Sequence, residues 1–190
     1  MVDQISIFIL NTVLGLLSLA LLLRFYMQLI HMPYRNPVAH FLVAVTDFIV
    51  RPTSKLTPRF KGIDLSALLL AWLTQFILLV GIYKLQGNNL SSDISTATMA
   101  LLLLAFLEII KTTFHIIMVA IIVQAVLSWF SPHNPMGPLL NSFTRPFLRI
   151  FSERIPPIGN IDLSPLFVLI VIQLLLMVTT GLQRDTYQLF

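Results

Sequence analysis

The chain has 190 residues, of which 57% are hydrophobic and only 11% are charged, and its mean hydropathy is +0.89. Soluble domains carry about 25% charged residues, so this composition excludes an ordinary soluble domain and predicts an integral membrane protein. The net charge of +4 does not indicate nucleic-acid binding, because the Lys and Arg residues cluster beside apolar runs, and the lack of Cys excludes disulfides and thiolate metal sites.

The first apolar run covers residues 5–23, which is long enough to cross the ~30 Å hydrocarbon core of a bilayer. We predict that this first span continues as a helix to about residue 30, with Arg24 and Gln28 one turn apart. Arg24 is expected to extend towards cytoplasmic headgroups, or to form an ion pair with Asp64 or Asp162. The four residues before the run carry no Lys or Arg, which argues against a cleaved signal peptide.

After the first span, the pattern predicts an amphipathic helix at residues 38–50 and a basic loop at residues 51–62. A second span follows at about residues 64–84. Asp64 and Ser66 stand at its start, where such side chains accept hydrogen bonds from the free N–H groups of a first helical turn. A polar loop is predicted at residues 87–96.

Residues 97–130 are almost continuously apolar, and as one helix they would measure about 51 Å, more than a single crossing needs. We therefore place the third span at residues 113–130. Residues 97–110 are interpreted either as a helix lying in the outer interface of the membrane or as a bent extension of this span.

Polar residues on this long segment form two groups. Glu108, Lys111 and His115 share one helical face, which favours either a surface ion pair or a proton or cation site that includes His115. Gln124 and Ser128, four residues apart near the end of the third span, repeat the placement of the polar pair that ends the first span.

Residues 145–154 are predicted to form a short amphipathic helix on the membrane surface, with guanidinium groups towards water and aromatic rings towards lipid. This surface segment contains Arg145, Phe147, Arg149, Phe151 and Arg154. Pro156, Pro157 and Gly159 are expected to end it. Asp162 or Ser164 then caps the fourth span, at residues 163–182, and Pro165 is tolerated in its first turn.

The chain contains an internal repeat. Asn36-Pro37, Asp64-Leu-Ser66 and Gln75 recur 98 positions later, at Asn134-Pro135, Asp162-Leu-Ser164 and Gln173. Arg51-Pro52 recurs only 94 positions later, at Arg145-Pro146, which predicts that the first copy has four more residues before this motif and four fewer after it. We place the first repeat at residues 1–86 and the second at residues 97–190.

The distribution of Lys and Arg predicts the orientation in the membrane. The segments after the first and third spans hold eight Lys or Arg residues, whereas the opposite side holds only Lys84 and Arg184. The positive-inside rule therefore places the basic segments in the cytoplasm and both termini in the periplasm. With two spans in each repeat, the two repeats are parallel.

The motifs Asn-Pro, Arg-Pro-Phe-Leu-Arg, Ile-Pro-Pro-x-Gly and Ile-Asp-Leu-Ser-Pro, followed by a Gln-bearing apolar run, resemble the YggT family of bacterial and plastid membrane proteins. The first repeat lacks the Phe-Leu-Arg and Ile-Pro-Pro elements. The resemblance implies a multi-pass protein of the bacterial inner membrane, tied to osmotic and potassium homeostasis or, in other relatives, to cell division or plastid assembly. It supplies no catalytic residues.

Gln75 and Gln173 are predicted near the middle of the second and fourth spans, where they form interhelical contacts or line a polar path. Asp64 and Asp162 stand at helix starts, so capping explains them better than an aspartyl protease site does. No metal-ligand spacing, phosphate-binding loop or nucleophile motif is present in the sequence. We therefore expect a protein that is not an enzyme and that has no cofactor.

Two functional hypotheses follow. The first is a small channel-like or transport-associated protein in ion and osmotic homeostasis, acting under osmotic stress with a monovalent cation such as potassium. The second is a non-enzymatic scaffold or assembly factor, in cell division or membrane-complex biogenesis, that docks partners through its cytoplasmic amphipathic segments. The expected partners are the lipid bilayer and either further copies of the chain, in a homo-oligomer, or another membrane protein, with no nucleic acid.

Overall fold

A computed structural model describes residues 2–30, 37–55, 57, 59–60, 63–87, 94–130, 137–154 and 162–188. These residues form six helices and a two-stranded hairpin: α1 (Val2–Leu29), α2 (Pro37–Thr53), β1 (Arg59–Phe60), β2 (Ile63–Asp64), α3 (Ser66–Leu85), α4 (Ile94–Phe130), α5 (Gly137–Ser152) and α6 (Ser164–Tyr187). Four of the helices, α1, α3, α4 and α6, are long and apolar enough to cross a membrane. The predicted all-α fold with four spans is therefore confirmed.

Several predicted features lie outside the described residues, namely the Asn-Pro motifs at Asn36 and Asn134, most of the polar loop at residues 87–96, and the helix-ending Pro156, Pro157 and Gly159. Part of the region predicted as a basic loop belongs to regular elements. Its first residues belong to α2, and β1 pairs antiparallel with β2 through Arg59 and Asp64 and through Phe60 and Ile63.

The chain forms two compact units, one comprising Met1–Ile110 with Gly181–Phe190 and the other Lys111–Thr180. In the first unit, α1 packs against α2 and α3. Ala67 and Ala71 of α3 are fully buried, and the Ser18 hydroxyl donates a hydrogen bond to the Ala71 carbonyl at 3.3 Å. Small side chains let two membrane helices approach closely, so dispersion contacts and this hydrogen bond hold α1 on α3.

The second unit is built around a cluster of β-branched and Leu side chains. Ile117 and Ile121 of α4 pack with Val168, Ile172 and Leu176 of α6. Phe143, Leu148 and Phe151 of α5 pack against this cluster, and the Phe151 ring stacks on Phe167 with centroids 6.4 Å apart. The bundle-facing side of α5 is thereby fixed.

The long apolar segment is one continuous helix, α4, of 37 residues. Residues 97–110 continue the helix that carries the third span, so the alternative of a separate interfacial helix is wrong. No Gly or Pro interrupts residues 97–130, and Glu and Lys have good helix propensity. The membrane thickness limits how much of a helix lies in hydrocarbon, but it does not end a helix.

Residues of α2 and α5 correspond at the same offset of 98 positions as the other repeated motifs. Thr46 of α2 and Thr144 of α5 are both fully buried and are separated by 98 positions. Leu42 and Val50, which flank Thr46 on its buried side, likewise correspond to Leu140 and Leu148. The four-residue shift predicted from the Arg-Pro motifs is therefore wrong, and Arg51 corresponds to Arg149 rather than to Arg145.

Candidate functional site

Arg24 joins α1 to α2 through two hydrogen bonds. Its guanidinium donates to the Thr46 hydroxyl at 2.9 Å and to an Asp47 carboxylate oxygen at 3.1 Å, and only 12% of the Arg24 side chain is exposed. Within the first unit, the carboxylate partner of Arg24 is Asp47 rather than the suggested Asp64. The contact is a charge-assisted bond at low exposure, which is the strong kind.

The second repeat has the equivalent contact without the charge. Gln124 of α4 takes the place of Arg24, and the hydroxyl of the buried Thr144 on α5 donates to its side-chain oxygen. The position equivalent to Asp47 is Arg145, which is exposed. A buried Thr therefore fixes α2 in the first repeat and α5 in the second, and among the described residues this contact includes an ion pair in the first repeat alone.

The two helix starts are capped alike. An oxygen of Asp64 accepts the Ser66 N–H at 2.9 Å, and one of Asp162 accepts the Ser164 N–H at 2.8 Å. Each aspartate therefore accepts the N–H of the first residue of a helix, although the residue directly before α3 is Leu65. Pro165 follows within the first turn of α6. The hydroxyls of Ser66 and Ser164 are buried and have no hydrogen-bond partner among the described residues.

The second unit contains an open cleft of about 1250 Å³, lined by α4, α6 and one residue of α5. Seven predicted site residues line it, namely Lys111, His115, Gln124, Ser128, Asp162, Pro165 and Gln173. On the α4 wall, the polar side chains lie at the two ends, and residues 116–123 between them are all apolar. Most of the remaining lining is Leu, Ile and Met from α6.

The two central glutamines differ in exposure. Gln75 is 5% exposed in the first unit, whereas Gln173 is exposed in the cleft of the second unit. The Gln173 amide nitrogen has a contact of 3.7 Å with the Met118 sulfur, which is a weak acceptor. Gln173 therefore presents an amide with spare hydrogen-bonding capacity inside a largely apolar cleft.

The three residues predicted to share one helical face belong to different units: Glu108 to the first, and Lys111 and His115 to the second. In the first unit, the Gln183 amide donates to a Glu108 oxygen at 2.5 Å, a contact that sequence reasoning missed. In the second unit, His115 is exposed, and its Nδ1 lies 2.8 Å from the Lys111 carbonyl oxygen.

The predicted surface segment lies on α5 and just after it. Arg145 and Arg149 are exposed, and Phe151 is half-buried against the core of the unit. The Arg149 Nε donates to Glu153 at 2.6 Å, and this hydrogen bond and the nearby charge raise the pKa of Arg149. Arg154 is also exposed, and it donates to the Ile150 carbonyl.

Comparison with known proteins identifies the family. The CCB3/YggT family model matches residues 4–84 and again residues 103–183. The chain belongs to the CCB3/YggT family. The two matches, which begin 99 positions apart, agree with the internal repeat read from the motifs.

Relatives in this family align with nearly the whole chain. A Pseudomonas aeruginosa protein is 34% identical over 172 residues, covering 90% of this chain and 85% of the relative. The YggT protein of Escherichia coli K12 is 30% identical over 166 residues, covering 87% and 84%. The ycf19 protein of Porphyra purpurea is 28% identical over 75 residues, covering 38% of this chain but 79% of ycf19. About one repeat therefore accounts for most of ycf19.

No solved structure matches this CCB3/YggT chain. Within the part of the chain that the structure describes, no group of three or more His, Cys, Asp or Glu residues is placed to hold a metal ion. The polar groups of the cleft are amides, hydroxyls, the imidazole of His115 and the charged Lys111 and Asp162, and they lie along mostly apolar walls.

Proposed function

We propose that this CCB3/YggT protein is a non-enzymatic scaffold of the bacterial inner membrane, which docks a transmembrane helix of a partner protein in the cleft of its second unit. The observation that carries this proposal is the exposed amide of Gln173 within apolar walls. Membrane-complex biogenesis and cell division are the kinds of process that such a scaffold serves.

The Gln173 amide gives an energetic reason for a helix to dock in the cleft. In hydrocarbon, a polar group without a partner costs several kcal/mol, and a thioether satisfies an amide poorly. A guest helix that places a Ser, Thr, Asn or Gln opposite Gln173 supplies the missing bond, which in membranes is worth about 0.6 to 1.7 kcal/mol. The apolar walls around Gln173 would pack against the rest of such a helix.

The shape of the cleft favours a helix over a hydrated ion. The cleft is lined mainly by Leu, Ile and Met side chains of α6, and on α4 the apolar Ile121 and Ala125 lie among the polar lining residues. A path with mostly apolar walls tends to lose its water, which opposes ion passage. An apolar helix meets no such barrier.

Site-specific photo-crosslinking in cells tests the docking proposal. A photoreactive residue at Leu174, which lines the cleft, should capture one transmembrane helix that carries a polar residue opposite Gln173. Val171 is also exposed on α6 but does not line the cleft, so a probe there is the matched control and should capture lipid.

Gln173→Leu should lower the yield of the Leu174 crosslink by at least about threefold, the loss of roughly one interhelical hydrogen bond. The unfolding midpoint should not change, because Gln173 is exposed. Capture of lipid alone at Leu174, or the same partner and yield at Val171, would overturn the proposal.

A cation path in ion and osmotic homeostasis is the second candidate. Its supporting observation is that polar side chains from Lys111 to Ser128 line one cleft, over about 25 Å of helix. Potassium flux through protein reconstituted in vesicles tests it. If the cleft conducts, Gln173→Leu should reduce the flux because Gln173 lines the cleft, and a lack of flux in the unmodified protein excludes this candidate.

A further inference from the structure

The exposed side of α5 has a cationic edge beside an apolar edge. Arg145 and Arg149 are one turn apart on the cationic edge. Phe147 and Ile150 lie on the apolar edge and are 36% and 53% exposed. The buried Thr144 lies between the two edges and faces the bundle. A helix with this division of side chains suits the boundary between headgroups and acyl chains.

The first repeat also has exposed apolar side chains, but they lie at other positions and the charge is different. On α2, Phe41 and Phe48 are 65% and 69% exposed. Asp47 and Arg51 occupy the positions equivalent to Arg145 and Arg149, so α2 carries one carboxylate and one guanidinium. α5 carries two guanidinium groups and no carboxylate.

Within each repeat, these charges have different partners. Asp47 pairs with Arg24 in the first repeat, whereas the neutral Gln124 replaces Arg24 in the second. Arg149 pairs with Glu153. Arg145 is therefore the cation of α5 for which the described residues provide no carboxylate.

We propose that Arg145 on α5 binds the phosphate of an anionic lipid, and that the equivalent position on α2 has no such affinity. A lipid fits both edges of α5, since its phosphate meets the guanidinium while its acyl chains cover Phe147 and Ile150. A free phosphate ion would meet only the charge and would leave the apolar edge uncovered. This proposal is independent of helix docking in the cleft.

Fluorescence quenching by labelled lipid tests it on the full-length chain. The sequence contains no Cys, so Ser142→Cys and Ala44→Cys each allow one fluorophore. These exposed positions are 98 residues apart, and each lies three residues before Arg145 or Asp47. The protein is placed in phosphatidylcholine vesicles that contain a small amount of lipid with a nitroxide near the headgroup. The labelled lipid is either phosphatidylglycerol or phosphatidylcholine, and the ratio of the two quenching efficiencies is measured.

We expect the label at position 142 to report phosphatidylglycerol enriched about fivefold, because one basic residue at an anionic surface is worth about 1 kcal/mol. The label at position 44 should report a ratio of about one. Arg145→Gln should bring the ratio at position 142 to about one, and Arg145→Lys should retain most of the enrichment. The Lys variant keeps the charge and so separates lipid binding from any general disturbance of α5.

Equal ratios at positions 44 and 142, or enrichment that persists in Arg145→Gln, would overturn the proposal. Inorganic phosphate, compared with chloride at the same ionic strength, should leave the ratio at position 142 unchanged. Displacement of the labelled lipid by phosphate would show an anion site without lipid specificity and would also overturn it.

Discussion

Arg24 and Gln124 hold the amphipathic helices of the two repeats with bonds of different strength. A hydrogen bond to a charged group contributes about 1.5 to 3 kcal/mol, and a neutral one about 0.5 to 1.5 kcal/mol. Arg24 makes bonds to both Thr46 and Asp47, whereas Gln124 bonds the Thr144 hydroxyl. We infer that α2 is held on α1 more firmly than α5 is held on α4.

Asp47→Ala should therefore destabilise the protein by about 1.5 to 3 kcal/mol, because it leaves the mostly buried guanidinium of Arg24 without its carboxylate. Thermal unfolding in detergent, followed by circular dichroism, measures the fall in midpoint. Asp3→Ala is the control, since Asp3 is exposed near the start of α1. Equal midpoints for the two variants would contradict the proposed strength of this ion pair.

The roles of single residues were predictable where they depend on near neighbours in the chain. Asp64 and Asp162 cap helices two residues away, and the sequence pattern predicted this. The partner of Arg24 depends on how α2 packs on α1, which a linear pattern does not contain. The sequence did contain a signal for this partner, because Asp47 is the sole acidic residue between Arg24 and Asp64.

At the scale of helices, the sequence predicted which helices form better than it predicted where they end or how α2 aligns with α5. Long apolar runs form helices whatever their partners, so α1, α3, α4 and α6 were expected. The register of α2 against α5 was misjudged because two Arg-Pro pairs look alike in the sequence. Packing selects the buried Thr46 and Thr144 instead, and an exposed Arg-Pro pair has no such constraint.

The continuity of α4 predicts slow amide exchange across residues 108–116. Each amide there bonds a carbonyl four residues earlier, so hydrogen–deuterium exchange should be as slow as at residues 118–126. Mass spectrometry of the protein in lipid nanodiscs measures both segments. Fast exchange confined to residues 108–116 would indicate two helices joined by a break.

Cysteine labelling tests the placement of α5 at the membrane surface, which remains a prediction. A Cys at position 149 should react with a soluble thiol reagent from the cytoplasm, because the Arg149 side chain is 70% exposed on the cationic edge. A Cys at position 147 should be protected by lipid although Phe147 is also exposed. Equal labelling at both positions would contradict the surface placement.

At the scale of the whole molecule, the family match to residues 4–84 and 103–183 agrees with a chain built from two repeats. Internal motifs predicted this because each repeat keeps the same capping and packing residues. The structural difference between the repeats was not predictable, since it lies in contacts such as Arg24–Asp47 and in the unequal exposure of Gln75 and Gln173.

Orientation in the membrane is tested with fusion reporters. Eight Lys or Arg residues follow the first and third spans, against two on the other side, so a periplasm-active reporter after Phe190 should be active. The same reporter fused at Lys55 or Arg149 should be inactive. The reverse pattern would place both termini in the cytoplasm.

The constant spacing between α2 and α5 makes the two helices exchangeable parts. A segment grafted from one repeat to the other, 98 positions along, would present Thr at the buried position without any insertion or deletion. Charge and packing would both need correction, because α2 in the second repeat brings Asp47 opposite Gln124 and puts Val45 and Thr53 in place of Phe143 and Phe151. The fold thus offers protein engineers two equivalent helix positions. One is held by a charged contact and the other by a neutral contact.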